Sequence, residues 1–99
     1  MSWINTWEEI FNSFDMLKKM LADRANCTDN CIEVLDPPYT IKVLKNEKVM
    51  VFQLEDKTVA TLDQKGLHNN SEEHLGVIKE WCTALTSLGF KRYRTKSRI

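Results

Sequence analysis

Three segments with the alternating pattern of β-strands follow one another closely in the middle of this chain. They are residues 40–45, Val49–Leu54 and residues 58–62, and only short polar turns separate them. A parallel pair of strands needs a crossover connection of a dozen or more residues, which these turns do not provide. The sequence therefore predicts an antiparallel meander of three strands.

A short segment rich in β-branched residues, 32–35, precedes the meander and is a candidate fourth strand. Pro37 and Pro38 should end it, because proline has no backbone N–H to donate within a sheet. Residues 26–30 form a polar connector before it. Residues 63–66 are expected to close the meander, with Gly66 free to adopt a positive φ.

Residues 3–24 carry apolar side chains at the spacing of an α-helix. The stripe recurs every three or four residues and comprises Trp3, Trp7, Ile10, Phe14, Leu17 and Leu21, which is typical of a helix that packs on a core. Thr6 is followed three residues later by Glu9, the form of a capping box. The pattern predicts one helix over residues 3–24; if the capping box forms, regular helix begins at Thr6 and Trp3 packs from an extended lead-in.

A second helical stripe lies near the C-terminus and comprises Leu75, Ile78, Trp81, Cys82, Leu85 and Leu88. Asn70 or Ser71 is the expected N-cap, and Gly89 is the expected end, because a glycine after the last turn readily adopts the left-handed conformation. Residues 91–95 then predict a short edge strand or a frayed tail.

This order of elements predicts an α+β fold. It consists of an N-terminal amphipathic helix, a three- to four-stranded antiparallel meander and a C-terminal helix, with the helices packed on one face of the sheet. A chain of 99 residues has the size of one domain. We expect a single domain over residues 1–90 and a basic C-terminal arm or edge strand over residues 91–99.

The neutral overall charge hides a strong asymmetry. Fourteen Lys and Arg balance fourteen Asp and Glu. Residues 1–90 nevertheless carry nine basic against fourteen acidic side chains, a net −5, and residues 91–99 carry five basic side chains and no acid. A body of one sign with a tail of the other is the clearest charge pattern of the chain.

The cysteines and histidines do not have the spacing of a zinc site. Cys27 and Cys31 are four residues apart, but the later His68, His74 and Cys82 do not form a second ligand pair of the usual kind. Cys82 falls on the second apolar stripe, where a free cysteine behaves as a small buried hydrophobe. We expect no metal and no cofactor, and whether Cys27 and Cys31 pair is left open.

No catalytic motif is present in the sequence. There is no glycine-rich phosphate loop, Gly-x-Ser-x-Gly or His-Glu-x-x-His. His74 and Cys82 lie about two helical turns apart, too far to act as base and nucleophile within one helix. We therefore expect no enzyme.

Two surfaces are candidates for binding. Acidic helix faces for a protein partner are formed by Glu8, Asp15, Glu72, Glu73 and Glu80. As the alternative, a nucleic acid would be held by the basic C-terminal residues Lys91, Arg92, Tyr93, Arg94, Lys96 and Arg98, because cations contact phosphate and a tyrosine ring stacks on a base.

The features together predict a small non-enzymatic protein that occludes a macromolecular partner. A phage or mobile-element inhibitor of a host enzyme or defence complex, or a toxin immunity protein, would have this profile. The alternative is a nucleic-acid-binding regulator that uses the basic arm. A homodimer through an edge strand such as residues 58–62 is a third interpretation.

The expected location is the cytoplasm, away from any membrane. The odd number of cysteines, three, argues against a complete disulfide framework. The longest apolar runs are far shorter than the roughly 18 residues of a membrane span. The N-terminus also lacks the basic and apolar regions of a secretory signal.

Overall fold

The computed structural model describes residues 2–69 and 72–98, with side chains for residues 2–68 and 72–87. These described residues form three α-helices, six strands and one 3₁₀ turn. The helices are α1 (Trp3–Asn12), α2 (Phe14–Met20) and α3 (Leu75–Arg98), and the 3₁₀ turn is Glu72–His74. The strands are β1 (Asn26–Cys27), β2 (Cys31–Asp36), β3 (Tyr39–Leu44), β4 (Val49–Leu54), β5 (Lys57–Asp63) and β6 (Gly66–Asn69).

The N-terminal stripe folds as two helices, so the prediction of one continuous helix over residues 3–24 is wrong. The first helix begins at Trp3, so the alternative start at Thr6 is also wrong. The hydroxyl of Ser2 caps α1 by accepting from the backbone N–H of Asn5 at 3.4 Å. The hydroxyl of Thr6 instead donates to the Ser2 carbonyl at 2.9 Å, and Thr6 is buried. The helix breaks at Ser13 (φ −103°, ψ 13°).

The break leaves the apolar stripe continuous. Ile10, Phe14, Leu17 and Leu21 keep their spacing across Ser13 and are all buried. A stripe of this kind marks the side of the chain that faces the core, and a local break in the helix does not change which side is buried. The periodicity therefore predicts the buried side correctly although the continuous helix is wrong.

The sheet has six antiparallel strands in the order β1-β2-β3-β4-β5-β6. The expected count of three to four strands is too low, because β1 and β6 flank the predicted meander. β1 lies inside the presumed polar connector, where Asn26 pairs with Glu33. β6 follows a turn at Gly66, which has φ 113°. Its pairing with β5 makes β5 an interior strand, so a homodimer through residues 58–62 as an edge is ruled out.

Two of the hairpin turns join β2 to β3 and β4 to β5. β2 ends at Asp36 and β3 begins at Tyr39, as the two prolines between them predict. Between β4 and β5, Glu55 and Asp56 both have positive φ, 48° and 71°. Two consecutive left-handed residues are typical of a type I′ turn, whose twist matches that of a β-hairpin.

The core lies between the helices and one face of the sheet. Each interior strand buries alternate residues: Ile32 and Val34, Ile41 and Val43, Met50 and Phe52, Ala60 and Leu62. The helices contribute Ile10, Phe14, Leu17, Leu21, Ile78, Cys82 and Leu85 to the same cluster. Full burial of one such aliphatic side chain contributes about 1.5–3 kcal/mol. The α+β class with helices on one face is confirmed.

Helix α3 continues to Arg98, so the predicted edge strand over residues 91–95 and the predicted end at Gly89 are wrong. Lysine and arginine are good helix formers, and their positive charges interact favourably with the C-terminal end of a helix dipole. The expected N-caps Asn70 and Ser71 lie outside the described residues. No helix in the described part of the chain is long and apolar enough to cross a membrane.

Candidate functional site

The five acidic residues predicted to bind a partner lie on four different elements. Glu8 is exposed on α1, Asp15 on α2 and Glu80 on α3, while Glu72 and Glu73 belong to the 3₁₀ turn. Asp15 is partly neutralised, because its carboxylate lies 3.5 Å from the ammonium group of Lys45. The acidic residues are exposed as expected but are spread over several helical segments.

The predicted nucleic-acid-binding residues all fall in the last two turns of α3. The backbone there is helical through Arg98. The side chains of Lys91, Arg92, Tyr93, Arg94, Lys96 and Arg98 lie outside those that the structure describes.

The cysteines are free, and two of them point to opposite faces of the sheet. Cys27 pairs with the buried Ile32 and packs against the core, whereas Cys31 pairs with Leu44 on the other face. Burial, followed by the nearby charge of Glu33, raises the pKa of the Cys31 thiol. Burial raises the pKa of the Cys82 thiol to about 12, and Cys82 occupies the core as the sequence predicts.

Within the described side chains, no group of three or more His, Cys, Asp or Glu residues is arranged to hold a metal ion. His68 and His74, the two histidines weighed as ligands, lie at different places. His68 is exposed on β6, and His74 is buried at the end of the 3₁₀ turn that precedes α3.

The face of the sheet that points away from the core forms the first candidate site. We call it the open sheet face and define it by Glu33, Leu35, Lys42, Leu44, Val49 and Val51. These residues alternate with the buried ones along β2, β3 and β4. The register pairs Lys42 with Glu33 and Val51, and Leu44 with Val49, whereas Leu35 lies beside Thr40. Leu35 is 61% exposed, the largest exposure among the bulky apolar side chains of the described residues.

The charges of the open sheet face compensate each other locally. The ammonium group of Lys42 lies 3.7 Å from the carboxylate of Glu33 on the neighbouring strand. The face is therefore close to neutral, although residues 1–90 as a whole carry a net −5.

A depression of about 560 Å³ lies at the end of the sheet where the β3–β4 and β5–β6 turns meet α1. We call it the turn depression. The indole of Trp7 lines it, and the indole N–H donates to the carbonyl of Lys48 at 2.8 Å. Lys48, Lys65 and His68 line it from the two turns.

Asp63 organises the β5–β6 side of the turn depression. One carboxylate oxygen accepts from the backbone N–H of Lys65 at 2.8 Å and from the His68 ring at 3.0 Å. These two hydrogen bonds, the backbone one first, lower the pKa of Asp63. Sequence reasoning missed this site, and the signals available were an aspartate before a glycine-containing turn and a tryptophan in the first helix.

A polar cluster ties α3 to the other end of the sheet. The indole N–H of Trp81 donates to the carboxylate of Asp36 at 2.7 Å. The hydroxyl of Tyr39 lies 3.0 Å from Nδ1 of the buried His74. Asp36 and Tyr39 pair across the hairpin that holds the two prolines, so the cluster fixes the start of α3 against this turn.

Comparison with known proteins identifies relatives in one archaeal group. The family model described as Archaeoglobi AF1636 family protein matches residues 1–97. A protein of Archaeoglobus fulgidus described as uncharacterized is 32% identical over 88 residues, which cover 89% of this chain and 92% of the relative. No solved structure matches the chain. Since the family model spans nearly the whole sequence, the chain belongs to the Archaeoglobi AF1636 family.

Proposed function

We propose that this protein is non-enzymatic and acts by binding and covering a protein partner with the open sheet face. The observation that carries this proposal is a sheet whose core face is covered by helices while Leu35, Leu44, Val49 and Val51 remain partly exposed on the other face. Leu44, Val49 and Val51 lie close to one another, while Leu35 stands apart beside Thr40. Exposed apolar patches often mark interaction sites. Their chemistry fits an apolar, uncharged patch on the partner.

The open sheet face is small for an interface. Its three strands, spaced by about 4.8 Å, span roughly 10 Å, and six residues along a strand span about 20 Å. The projected area is thus roughly 200 Å², against about 800 Å² buried on each partner in an interface of standard size. Additional contacts from the rim, where Leu35 adjoins Arg24 and Ala25, would enlarge the interface.

The local charge pairing supports a protein partner for this face. A surface that binds phosphate backbones presents an excess of Lys and Arg. The open sheet face instead pairs its Lys42 with Glu33. Lys42 lies on β3, the middle strand of this face, so a partner would cover the pair as a unit: neither charge loses its partner, but both are desolvated.

The acidic helix residues are proposed as a second contact set with a different role. Exposed charges change the rate of association and its salt dependence more than the affinity. Glu8, Asp15, Glu72, Glu73 and Glu80 would attract a basic partner, and the open sheet face would supply the contact area. An inhibitor of another enzyme and a toxin immunity protein are two forms of this proposal.

The three free cysteines support a cytoplasmic location, where thiols stay reduced.

The test compares lysine substitutions on the two sides of the molecule. Tagged wild-type protein and the variants Leu35→Lys and Val51→Lys are used to capture partners from a lysate of the native cells. Met16→Lys on α2 is the matched control, because Met16 is also exposed, at 47%. We expect one stoichiometric protein with wild type and Met16→Lys, and its loss with both face variants. Equal capture by all four proteins would contradict the role of this face.

The extension of α3 to Arg98 supports a second candidate function, the binding of a nucleic acid. Because the helix continues to Arg98, the five basic residues among positions 91–98 all belong to its last turns. Such a cluster would hold a nucleic acid weakly and with a strong dependence on salt. Truncation after residue 90 should abolish binding to a fluorescent single-stranded oligonucleotide at low salt. Undiminished binding by the truncated chain would contradict this candidate.

A further inference from the structure

We propose that the turn depression is a binding site for a small phosphorylated ligand with a planar ring, of the nucleoside monophosphate class. The inference concerns a different part of the molecule from the open sheet face and does not depend on the proposed function. Its volume of about 560 Å³ falls within the roughly 300–1,000 Å³ typical of sites for small molecules.

Trp7 provides the wall against which a ring would stack. Its N–H is already used by the Lys48 carbonyl, and its ring packs against Phe11 with the centroids 5.6 Å apart. These contacts hold the indole in place, while its remaining surface lines the depression. Aromatic side chains fixed in this way accept planar bases by stacking, with little dependence on which base is bound.

Two lysines provide the positive charge for the phosphate. Lys48 and Lys65 line the depression from different turns, and within the described side chains neither forms an ion pair. Lys18, Lys42 and Lys45, in contrast, each have a carboxylate within 4 Å. A phosphate monoester carries a charge of about −1.5 to −2 at neutral pH. The two ammonium groups together supply about as much positive charge as the phosphate carries negative charge.

The formal charges of the lining balance, with Lys48 and Lys65 against Glu47 and Asp63. The Asp63 carboxylate accepts hydrogen bonds from the backbone of Lys65 and from His68, which hold it within its own turn. Neither lysine has a carboxylate within 4 Å among the described side chains, so both ammonium groups are available to a phosphate.

The two turns that form the walls of the turn depression are held in place by hydrogen bonds within the protein. Lys48 adopts a left-handed backbone conformation with φ 54°, which non-glycine residues rarely take. The hydrogen bond from Trp7 to the Lys48 carbonyl holds that turn. Asp63 holds the opposite turn through its own hydrogen bonds. Both walls are thus fixed, which lowers the entropic cost of binding.

The test is a titration of the full chain, followed through the NMR signal of the Trp7 indole N–H, with AMP, adenosine and inorganic phosphate as separate ligands. The Trp7→Phe variant assigns the signal. We expect saturable binding of AMP, and a dissociation constant at least about tenfold higher for adenosine and for phosphate alone. No saturable shift with AMP, or a shift that leaves the Trp7 signal unchanged, would overturn the proposal. If inorganic phosphate binds as tightly as AMP, the planar ring contributes nothing to binding, and that part of the proposal is wrong.

Charge variants test the role of the lysines. Lys48→Gln combined with Lys65→Gln should weaken AMP binding by about tenfold or more. Lys57→Gln is the control, since Lys57 is an exposed lysine at the start of β5, at the other end of that strand from the turn depression. It should stay within about twofold of wild type. Equal effects of the double variant and the control would contradict a phosphate site here.

Discussion

The indole N–H of Trp81 on α3 donates to the carboxylate of Asp36 at the end of β2, at a distance of 2.7 Å and across 45 residues of sequence. Both residues are positioned by regular structure, one by the second apolar stripe and the other by the strand before the two prolines. The contact is partly buried, and hydrogen bonds to charged groups are stronger than neutral ones. It anchors the long helix to the turn of a hairpin.

Removal of the Asp36 carboxylate should therefore destabilise the protein. We expect Asp36→Ala to lower the free energy of unfolding by about 1–3 kcal/mol, because the indole N–H loses its partner in a partly buried place. Asp36→Asn keeps an acceptor and should cost less. Chemical denaturation measures both. Asp23→Ala, at an exposed position, is the control and should change the value by less than about 0.5 kcal/mol. A loss equal to that of the control would show that the contact contributes nothing.

The contact between Tyr39 and His74 should behave as a coupled pair. His74 is only 8% exposed, so Tyr39→Phe leaves Nδ1 of a buried ring without its partner. We expect a loss of about 1–3 kcal/mol in unfolding free energy. The double variant Tyr39→Phe/His74→Leu should cost less than the two single changes added together. Strict additivity of the two losses would contradict a direct interaction.

The three cysteines should differ in reactivity in the native state. Alkylation at pH 8 should leave Cys82 unmodified, since it is 0% exposed and its thiol pKa is raised to about 12. Mass spectrometry of peptides after native and denatured labelling distinguishes the sites, with the denatured sample as control.

Mild oxidation should not join Cys27 to Cys31 while the fold is intact, because they face opposite sides of the sheet. An intramolecular bond formed under native conditions would contradict this arrangement.

The lowered pKa of Asp63 predicts a dependence of stability on pH. A carboxyl whose pKa is lower in the folded than in the unfolded chain contributes stability above the unfolded value near 4. That contribution is lost as the pH falls through the folded value. The difference in unfolding free energy between wild type and Asp63→Asn should therefore be largest at neutral pH and shrink below about pH 4. Asp23→Asn is the control, and a pH-independent difference for Asp63→Asn would contradict the prediction.

Much of the fold was predictable because it depends on local pattern and short connections. Alternation in residues 40–62 and the shortness of the turns required antiparallel pairing of β3, β4 and β5, which the register confirms. The stripe through Ile10, Phe14 and Leu17 identified the buried side of the first helices. Both inferences need only neighbouring residues and the geometry of one element.

The additional strands were not predictable in the same way. β1 has only two residues, and β6 contains glycine and asparagine, which have low strand propensity. Each is a strand because a neighbouring strand offers unpaired backbone groups in the right register. The candidate sites depend on the same kind of information: Trp7 meets Lys48 across 41 residues, and Tyr39 meets His74 across 35.

The sequence alone thus determined the α+β class, the central meander, the buried sides of the helices and the acidic body with its basic end. Tertiary structure decided the six-strand count, the break at Ser13, the free sheet face and the turn depression. The physical reason is the distance along the sequence over which each effect acts. Periodicity and turn length act within a few residues, whereas an exposed face or a shared hydrogen bond exists only after distant segments have packed together.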